Sequence, residues 1–283
     1  MPIRYVILGM GYVSNKHIQA IKNTCGELVA YHDIHDVVGH VDSKFINARY
    51  YSEFIHFDCF VDRHPEIDYA VILLPNHLHN PACRWAMTKG LNVIVEKPIT
   101  LHERNLFELL DVEERTGKKV NTILQMRLHN SATMLREATE GKESEVNICY
   151  HTPRGPWFKN GSWKADRSKS GGLATSIGIH LFDLCQDVFG DWTGWEIKDS
   201  VENEYIKGIL YCERAVVNFD LSVEADKPMK REFVVNGVRY DFTNGFGDLH
   251  TLSYEKILNG EGFGVKDAQN AIRLVEDIRN AGY

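Results

Sequence analysis

Residues 3–14 read Ile3-Arg4-Tyr5-Val6-Ile7-Leu8-Gly9-Met10-Gly11-Tyr12-Val13-Ser14. An apolar, β-branched run ends in two glycines, and a helical pattern over 15–23 follows. This is the setting of a dinucleotide-binding turn, in which glycines let the backbone bend sharply and approach a pyrophosphate at the helix N-terminus. The third glycine of the usual fingerprint is Ser14 here. A purely structural strand-to-helix turn is the alternative.

The first ~120 residues alternate short strand patterns with amphipathic helical patterns. That rhythm predicts an α/β fold with a Rossmann-type, doubly wound parallel sheet. The predicted strands are 3–8, 27–32, 68–74, 91–95 and 119–124, and the predicted helices between them are 15–23, 79–89 and 103–116.

After Arg127 the regular alternation of strand and helix patterns gives way to consecutive strand patterns. Consecutive strand patterns predict a C-terminal α+β domain with a largely antiparallel open sheet. We therefore predict two domains without a flexible linker, an NAD-binding domain at 1–124 and a domain for substrate binding and oligomerisation at 125–283. The predicted elements of the second domain are helices 130–140, 171–188 and 266–280 and strands 145–151, 205–211, 214–222, 232–236 and 238–242.

Asp33 ends the second predicted strand. At this position a carboxylate can accept hydrogen bonds from the adenosine ribose hydroxyls and would repel a 2′-phosphate. No basic residue follows closely, so the sequence favours NAD over NADP. We predict that Gly9, Gly11, Tyr12 and Val13 bind the cofactor together with Asp33; a simple turn residue is the alternative role for this aspartate.

The strand predicted at 91–95 continues into Glu96-Lys97-Pro98. Because ligands of α/β sheets bind at the carboxyl ends of the strands, Lys97 is expected near the nicotinamide. Its ammonium can hydrogen-bond a substrate hydroxyl and stabilise a developing alkoxide, and the proline stiffens the turn that presents it. Taken alone, these three residues would read as a solvated loop.

With the glycine turn and the strand pattern, Glu96-Lys97-Pro98 resembles the signature of the glucose–fructose oxidoreductase, inositol dehydrogenase and rhizopine-catabolism family of NAD(P)-dependent sugar dehydrogenases. A second match is Gly171-Gly172-Leu173-Ala174-Thr175-Ser176-Ile177-Gly178-Ile179-His180. The resemblance implies that His180 takes part in proton removal from the sugar, which suits an imidazole whose pKa lies near neutrality. Ser176 shares a helix face with His180, stands where many members carry Asp or Asn, and is expected to be a hydrogen-bond partner only.

Further stretches are similar to one branch of that family, bacterial UDP-N-acetylglucosamine and UDP-N-acetylglucosaminuronate 3-dehydrogenases. These stretches are 75–79, 122–129, 154–157, 162–164 and 248–251. The resemblance implies oxidation of the sugar C3 hydroxyl to a ketone, which an aminotransferase partner converts to an amine, on the way to 2,3-diamino sugars of O-antigen, other surface polysaccharide or lipid A in lipopolysaccharide. It adds Pro75, Asn76, His79, Glu96, Lys97 and Gln125 as cofactor contacts and Lys97, Arg127, Arg154, Trp163, Lys164, Ser176 and His180 as substrate contacts.

Residues 153–170 concentrate positive charge in a chain whose formal net charge is -7. The aromatic residues Trp157, Phe158 and Trp163 are interleaved with it and can pack on a uracil or a sugar face. This pattern predicts an anion trap for a diphosphate; a nucleic-acid groove and a solvated loop with buried tryptophans are the alternatives. The basic residues are Arg154, Lys159, Lys164, Arg167 and Lys169, against the single acid Asp166.

Composition narrows the class of protein further. At 283 residues with 43% hydrophobic residues, the chain is long enough for one large or two ordinary domains, and its net negative charge argues against a general nucleic-acid partner. Its 6 cysteines lie apart without a CxxC pair, which predicts reduced thiols and no metal site. No export signal is visible and no apolar run approaches the roughly 18 to 20 residues that span a bilayer. We therefore expect a cytoplasmic protein.

The predicted reaction begins with NAD bound over Gly9 and Gly11 and the sugar C3 carbon at the nicotinamide. His180, assisted by Lys97, removes the hydroxyl proton while hydride passes to the cofactor. Two alternatives stay open: a dehydrogenase of a free sugar or cyclitol, and a non-catalytic NAD-binding protein of the same fold. The uronate and non-oxidised UDP-sugars are not distinguished, 2-oxoglutarate is considered as a recycling oxidant, and a homodimer or homotetramer is expected by analogy.

Overall fold

A computed structural model describes residues 1–35, 41, 44–45, 47–155, 158, 161–243 and 247–283. By contacts the chain forms two compact units. The first consists of 1–100, 104–123 and 250–267, and the second of 101–103, 124–249 and 268–283. The predicted cut at 124/125 falls at the main boundary, but the first unit also contains a segment from near the C-terminus.

The first unit is built on a six-stranded sheet in which every pair of neighbouring strands is parallel. The strand order is β3-β2-β1-β4-β5-β6, so the order reverses between β1 and β4 and opens a crevice at their carboxyl ends. Its strands are β1 (Arg4–Leu8), β2 (Glu27–His32), β3 (Arg49–Tyr51), β4 (Tyr69–Ile72), β5 (Asn92–Val95) and β6 (Val120–Thr122). Its helices are α1 (Ser14–Asn23), α2 (Phe54–Asp62), α3 (His79–Thr88), α4 (Glu103–Thr116) and α8 (Leu249–Leu258).

The core of this unit follows from strands that are apolar on both faces, as parallel strands between helices require. Residues 5–8 of β1 are all buried. Ile18 and Ile21 of α1 pack against them on one side, and Tyr254 of α8 belongs to the same buried cluster. Helix α8 is thus part of the first unit's core although it lies late in the sequence.

The second unit contains a mixed sheet ordered β12-β11-β7-β10-β9-β8. All its strand pairs are antiparallel except β7 with β10, which is parallel. Burial alternates along β9, so one face of the sheet is packed, and Phe182 of α7 lies 5.0 Å from Phe219 of β10 between ring centroids. The elements are α5 (Asn130–Thr139), β7 (Ser144–His151), α6 (Arg167–Ser170), α7 (Ile179–Phe189), β8 (Trp192–Val201), β9 (Tyr205–Cys212), β10 (Ala215–Ser222), β11 (Lys230–Val235), β12 (Val238–Tyr240) and α9 (Val265–Asn280).

The predicted fold class is confirmed, and most predicted elements agree with the structure within two residues. The helix predicted at 171–188 is present but is not α-helical throughout: helical backbone begins after the two glycines and has π geometry before α7. Gly171 and Gly172 both have positive φ, a π turn occupies Ala174–Gly178, and α7 begins only at Ile179. Two consecutive left-handed residues cannot continue a right-handed helix, so the helix starts after them. The prediction also lacked β3, α2, α6, β8 and α8.

None of the helices in the described part of the chain combines the length and the apolar composition needed to cross a membrane.

Candidate active site

The glycine turn lies at the carboxyl end of β1, beside the point where the strand order reverses. Gly9 has φ +91°, and a Cβ there would lie 2.8 Å from the carbonyl carbon and oxygen of Leu73, so only glycine fits. Gly11 differs, because a Cβ there would meet no atom within 4 Å. No side chain caps the start of α1. The turn therefore leaves open space at a helix N-terminus, as a pyrophosphate requires.

Asp33 follows β2 and turns its carboxylate toward this glycine turn. Its Oδ2 accepts the backbone N–H of Met10 at 2.6 Å and its Oδ1 accepts that of His35 at 2.8 Å. Each carboxylate oxygen can accept more than one hydrogen bond, so the group can also receive a ribose hydroxyl. Tyr12 is 94% exposed, and Val13 directly precedes α1. The residues predicted to hold the adenosine half are thus grouped at one edge of the sheet.

The chain after β4 carries Pro75 and the short helical turn Asn76–Leu78, in which Asn76 is buried. His79, at the start of α3, has its Nδ1 2.6 Å from the carbonyl oxygen of Pro98 and its Nε2 2.7 Å from that of Leu74. Burial lowers the pKa of His79, and a neutral ring donates to one of these carbonyls. Both ring nitrogens therefore face backbone that follows β4 and β5. This makes His79 a support of the sheet edge, although it was predicted as a cofactor contact.

Lys97 is the second residue after β5 and is half-buried, next to Glu96. The Glu96 carboxylate oxygen Oε1 lies 3.1 Å from Nε2 of His17 and 3.1 Å from Nε2 of His250. Burial would raise the pKa of Glu96, but the hydrogen bonds from both histidines outweigh it and hold the pKa well below its ordinary value. Glu96, predicted as a cofactor contact, thus has protein partners for its carboxylate: the two histidines at Oε1 and the Lys97 N–H at Oε2.

In the second unit, His180 stands in the first turn of α7 and lines a cavity of about 50 Å³. Gln125 and Tyr150 contribute polar groups to the same cavity. The Oε1 atom of Gln125 is buried and has no hydrogen-bond partner among the residues that the structure describes. Since a buried amide oxygen is costly to leave unpaired, this atom marks a place for a ligand donor. Ile177 rather than Ser176 lines the cavity, and Ser176 is half-buried in the π turn.

Arg127 has a different environment from the one predicted for a substrate contact. Its Nε and Nη2 donate to the two carboxylate oxygens of Asp183 at 2.9 and 2.6 Å, and its Nη1 lies 3.4 Å from Asp187. Asp183 stands on α7, three residues after His180. A bidentate pair of this kind fixes both side chains. Arg127 therefore anchors the helix that carries His180.

The basic segment also divides into two groups. Arg167 donates to the backbone carbonyls of Gly282 and Arg279, and Lys169 pairs with Asp166 at 3.0 Å, so these two charges support the fold. Lys159, Pro156 and Trp157 lie outside the described residues.

Arg154 and Lys164 form the second group. Burial lowers the pKa of Lys164, and the nearby Arg154 charge lowers it further. The Lys164 ammonium also lies 5.6 Å from the ring centroid of Trp163. Two close cations beside an aromatic ring suit an anion that carries a flat base.

Four functional candidates were missed from the sequence: His17, His250, Tyr254 and Asp183. His17 offered a signal, because it occupies a core-facing position of α1 with Ile18 and Ile21. A buried histidine at such a position needs a hydrogen-bond partner, and the similar stretch at 248–251 already contained His250. The pairing itself is between distant residues and has no local sequence pattern.

Solved structures of known proteins resemble this chain over nearly its full length. The WlbA (WbpB) dehydrogenase of Thermus thermophilus is 38% identical, with a TM-score of 0.93 over 98% of this chain and 94% of that chain. Structures of that protein contain NAD with α-ketoglutarate and NAD with UDP-GlcNAcA. The WlbA dehydrogenase of Bordetella pertussis, at 17% identity and a TM-score of 0.81 over 99% of this chain and 95% of that chain, shares the fold.

Among curated proteins the similarity is more local. A protein of Amycolatopsis mediterranei that is named as the oxidoreductase subunit of a UDP-kanosamine synthase is 29% identical over 44% of this chain and 35% of its own length. An oxidoreductase of Rhizobium meliloti is 38% identical over 44% of this chain and 38% of its own length. The chain thus spans little more than a third of the length of these two relatives.

The sequence profiles of one oxidoreductase family match both halves of the chain. The profile of its NAD-binding Rossmann fold covers residues 3–123, and that of its C-terminal domain covers 132–239. Together they cover most of the 283 residues. The prediction of an oxidoreductase that uses NAD is confirmed. The chain therefore belongs to the GFO/IDH/MocA family of oxidoreductases.

Proposed function

We propose that this protein oxidises the C3 hydroxyl of a UDP-linked N-acetylamino sugar, UDP-N-acetylglucosaminuronate or UDP-N-acetylglucosamine, to the 3-keto sugar with NAD. The observation that carries this proposal is the nearly full-length likeness to a dehydrogenase whose structure contains NAD and UDP-GlcNAcA. In this proposal residues 1–124 bind the cofactor and 125–283 bind the substrate and form the oligomer contacts.

The chemistry needs one group that takes the hydroxyl proton and one that stabilises negative charge on oxygen. We assign proton removal to the His180 imidazole, since a neutral ring nitrogen can accept a proton near neutral pH. We assign charge stabilisation to the Lys97 ammonium. Bound NAD supplies the hydride acceptor, so the C3–H and O–H bonds break and a C3=O double bond forms. Gly9, Gly11 and Asp33 would hold that cofactor.

The UDP moiety is assigned to the second basic group described above. Arg154 and Lys164 provide positive charge for the diphosphate, and Trp163 provides a flat surface for the uracil or the sugar. The unpaired Gln125 Oε1 can accept a hydrogen bond from a bound hydroxyl or amide. Ser176 is kept as a hydrogen-bond partner of the substrate.

The cellular setting follows from the same proposal. The 3-keto product is a substrate for an aminotransferase, which places the enzyme before the formation of 2,3-diamino sugars for O-antigen, other surface polysaccharide or lipid A. We place it in the cytoplasm as a homodimer or homotetramer, and we propose 2-oxoglutarate as the oxidant that regenerates NAD, because α-ketoglutarate accompanies NAD in the Thermus thermophilus protein.

The test is to incubate the purified protein with NAD and each UDP-sugar, with and without 2-oxoglutarate, and to detect the 3-keto product by mass spectrometry. Turnover of a free sugar or cyclitol but of no UDP-sugar would establish the first alternative. NAD binding without NADH formation from any substrate would establish a non-catalytic protein.

A second experiment tests the basic group. Arg154→Glu and Lys164→Glu should raise the KM for the UDP-sugar by at least about tenfold, since each reverses a charge at the diphosphate. Lys169→Glu is the matched control, because Lys169 pairs with Asp166 in the same segment. An unchanged KM in both test variants would remove the diphosphate assignment.

A further inference from the structure

Four side chains of the first unit form a buried network around Glu96. His17 comes from α1, Glu96 follows β5, and His250 and Tyr254 come from α8. His17 Nδ1 lies 2.9 Å from the Tyr254 hydroxyl oxygen, and the rings of His17 and His250 meet edge to face with 4.9 Å between centroids. His17, His250 and Tyr254 are almost completely buried. The network therefore joins three segments that are far apart in sequence.

The donors and acceptors assign one hydrogen-bond pattern to this network. An ionised carboxylate only accepts, so His17 and His250 must each donate through an Nε2–H. The Nδ1 of a neutral His17 is then an acceptor, and it receives the Tyr254 hydroxyl proton. Burial lowers the pKa of His17, in agreement with a neutral ring. These three hydrogen bonds all form with both histidines protonated on Nε2, and Nδ1 of His250 is buried without a hydrogen-bond partner among the described residues.

The same three ligand atoms could in principle surround a metal ion, because they lie within 4.8 Å of one another. The contacts favour protons instead. Both nitrogens approach the same carboxylate oxygen at 3.1 Å, the length of an N–H···O hydrogen bond, and a metal would have to displace both protons. Hydrogen bonding therefore explains the arrangement without an ion.

The network ends on the backbone of Lys97. The ladder between β4 and β5 reaches only to Val95, so the N–H of Lys97 lies beyond it. The second carboxylate oxygen of Glu96 accepts that N–H at 3.2 Å. On the other side of Lys97, the Pro98 carbonyl contacts His79. The N–H of Lys97 itself and the carbonyl of the next residue, Pro98, are thus held by side chains beyond the end of the β4–β5 ladder.

We propose that His17 and His250 are positioning residues for Lys97. By donating to Glu96 they fix the carboxylate that holds the Lys97 N–H, and so they set the direction in which the lysine side chain leaves the sheet edge. Small displacements of a reacting group are costly, since a shift of about 1 Å can reduce a rate by roughly a hundredfold. As a proposal about the action of Lys97, this inference rests on the proposed function.

The hydrogen-bond pattern can be tested in the cofactor-free protein, independently of any substrate. Two-bond ¹H–¹⁵N correlation spectra report the tautomer of each imidazole, and His17→Gln and His250→Gln identify the two resonance sets by their loss. We expect a proton on Nε2 of both rings, and at His17 a neutral ring with no proton on Nδ1. An Nδ1–H tautomer at either ring, or one metal ion per chain by elemental analysis, would overturn the proposal.

Kinetics test the link to Lys97. His250→Leu removes the donor, whereas His250→Gln keeps an N–H at the position of Nε2. We expect His250→Leu to lower kcat by about 10- to 100-fold with less than about a threefold change in the NAD Kd, and His250→Gln to recover most of the loss. His64→Leu is the matched control, because the His64 ring bonds to the Phe60 carbonyl, away from the Glu96 network, and the variant should keep the parental kcat.

The outcomes separate the two proposals. An unchanged kcat in His250→Leu, or equal losses in His250→Leu and His250→Gln, would refute the positioning role. If His250→Leu does not fold, the positioning role is decided by the kcat of His250→Gln relative to the wild type and by the tautomer spectra. If the wild-type protein turns over no UDP-sugar, the proposed function fails, and the tautomers alone decide whether the network exists.

Discussion

Replacing Arg127 with methionine should destabilise the second unit strongly, even though Arg127 was predicted as a substrate contact. Asp183 is only 2% exposed and Arg127 12% exposed, and the pair is bidentate. Removing the arginine leaves a carboxylate buried without its main cation. Asp187 is less affected, because Arg136 also pairs with it at 2.5 Å.

Breaking a buried ion pair from one side costs about 3–5 kcal/mol, because the remaining charge is desolvated and uncompensated. At about 2–4 °C per kcal/mol for a domain of this size, the Tm of the unit should fall by roughly 6–20 °C. The double variant Arg127→Met/Asp183→Leu removes both charges and should regain most of the loss, since an apolar pair of similar volume needs no desolvation.

The assay is urea-induced unfolding followed by tryptophan fluorescence, which reports mainly the second unit because 4 of the 5 tryptophans lie after residue 124. Arg239→Met is the control in the same unit: Arg239 pairs with Glu232 at 3.7 Å, but its side chain is 60% exposed, so the loss should stay below about 1 kcal/mol. A loss below about 1 kcal/mol for Arg127→Met together with a raised substrate KM would refute the structural role and restore the substrate contact.

Four further predictions concern the first unit. Lys97→Ala should lower kcat by about 10²- to 10³-fold, as for loss of one oxyanion donor, while fluorescence titration finds an unchanged NAD Kd; near-normal turnover would contradict the mechanism. Gly9→Ala should cost at least about 1–3 kcal/mol of stability by thermal unfolding, because φ is positive and the methyl group meets backbone. Gly11→Ala should keep the Tm but weaken NAD binding by at least about tenfold; equal behaviour of the two variants would contradict the turn assignment. Burial lowers the pKa of His17, so as the pH falls below about 6.5 the unfolded state binds a proton before the folded state does. The unfolding free energy should therefore decrease by up to ~1.4 kcal/mol per pH unit in the wild type and by less in His17→Gln. An identical pH dependence of the unfolding free energy in both proteins, measured by urea titration, would contradict a buried neutral ring.

The elements that could be predicted from sequence are those with a clear period. Strand β2 and helix α4 have the predicted bounds, because an apolar run between turns and a regular amphipathic stripe are local properties. Helix α2 was missed because Phe54 and Ile55 are exposed, which blurs the polar face of a short helix. Strand β8 was missed because its register shifts at two irregularities, which break the alternation of a regular strand.

The candidate site was predictable where a residue's place in the sheet decides its role. Lys97 and Asp33 could be assigned because the carboxyl edge of a parallel sheet is fixed by topology. Arg127 and Glu96 illustrate the limit, because Asp183, His17 and His250, with which they pair, are brought near only by the folded chain. Helix α8 was missed for a related reason: polar His250 takes a buried position that an amphipathic pattern would give to an apolar residue.

The return of α8 to the first unit has a consequence for biosynthesis. Tyr254 and Ile257 belong to the same buried cluster as Tyr5 and Ile18, so the first sheet to leave the ribosome exposes part of its core until residue 258 has been added. A nascent chain that ends near residue 124 therefore carries an incomplete cofactor domain. Synthesis of the whole second sheet precedes closure of the first core, which makes the nascent first unit a candidate chaperone client while residues 125–258 are being added.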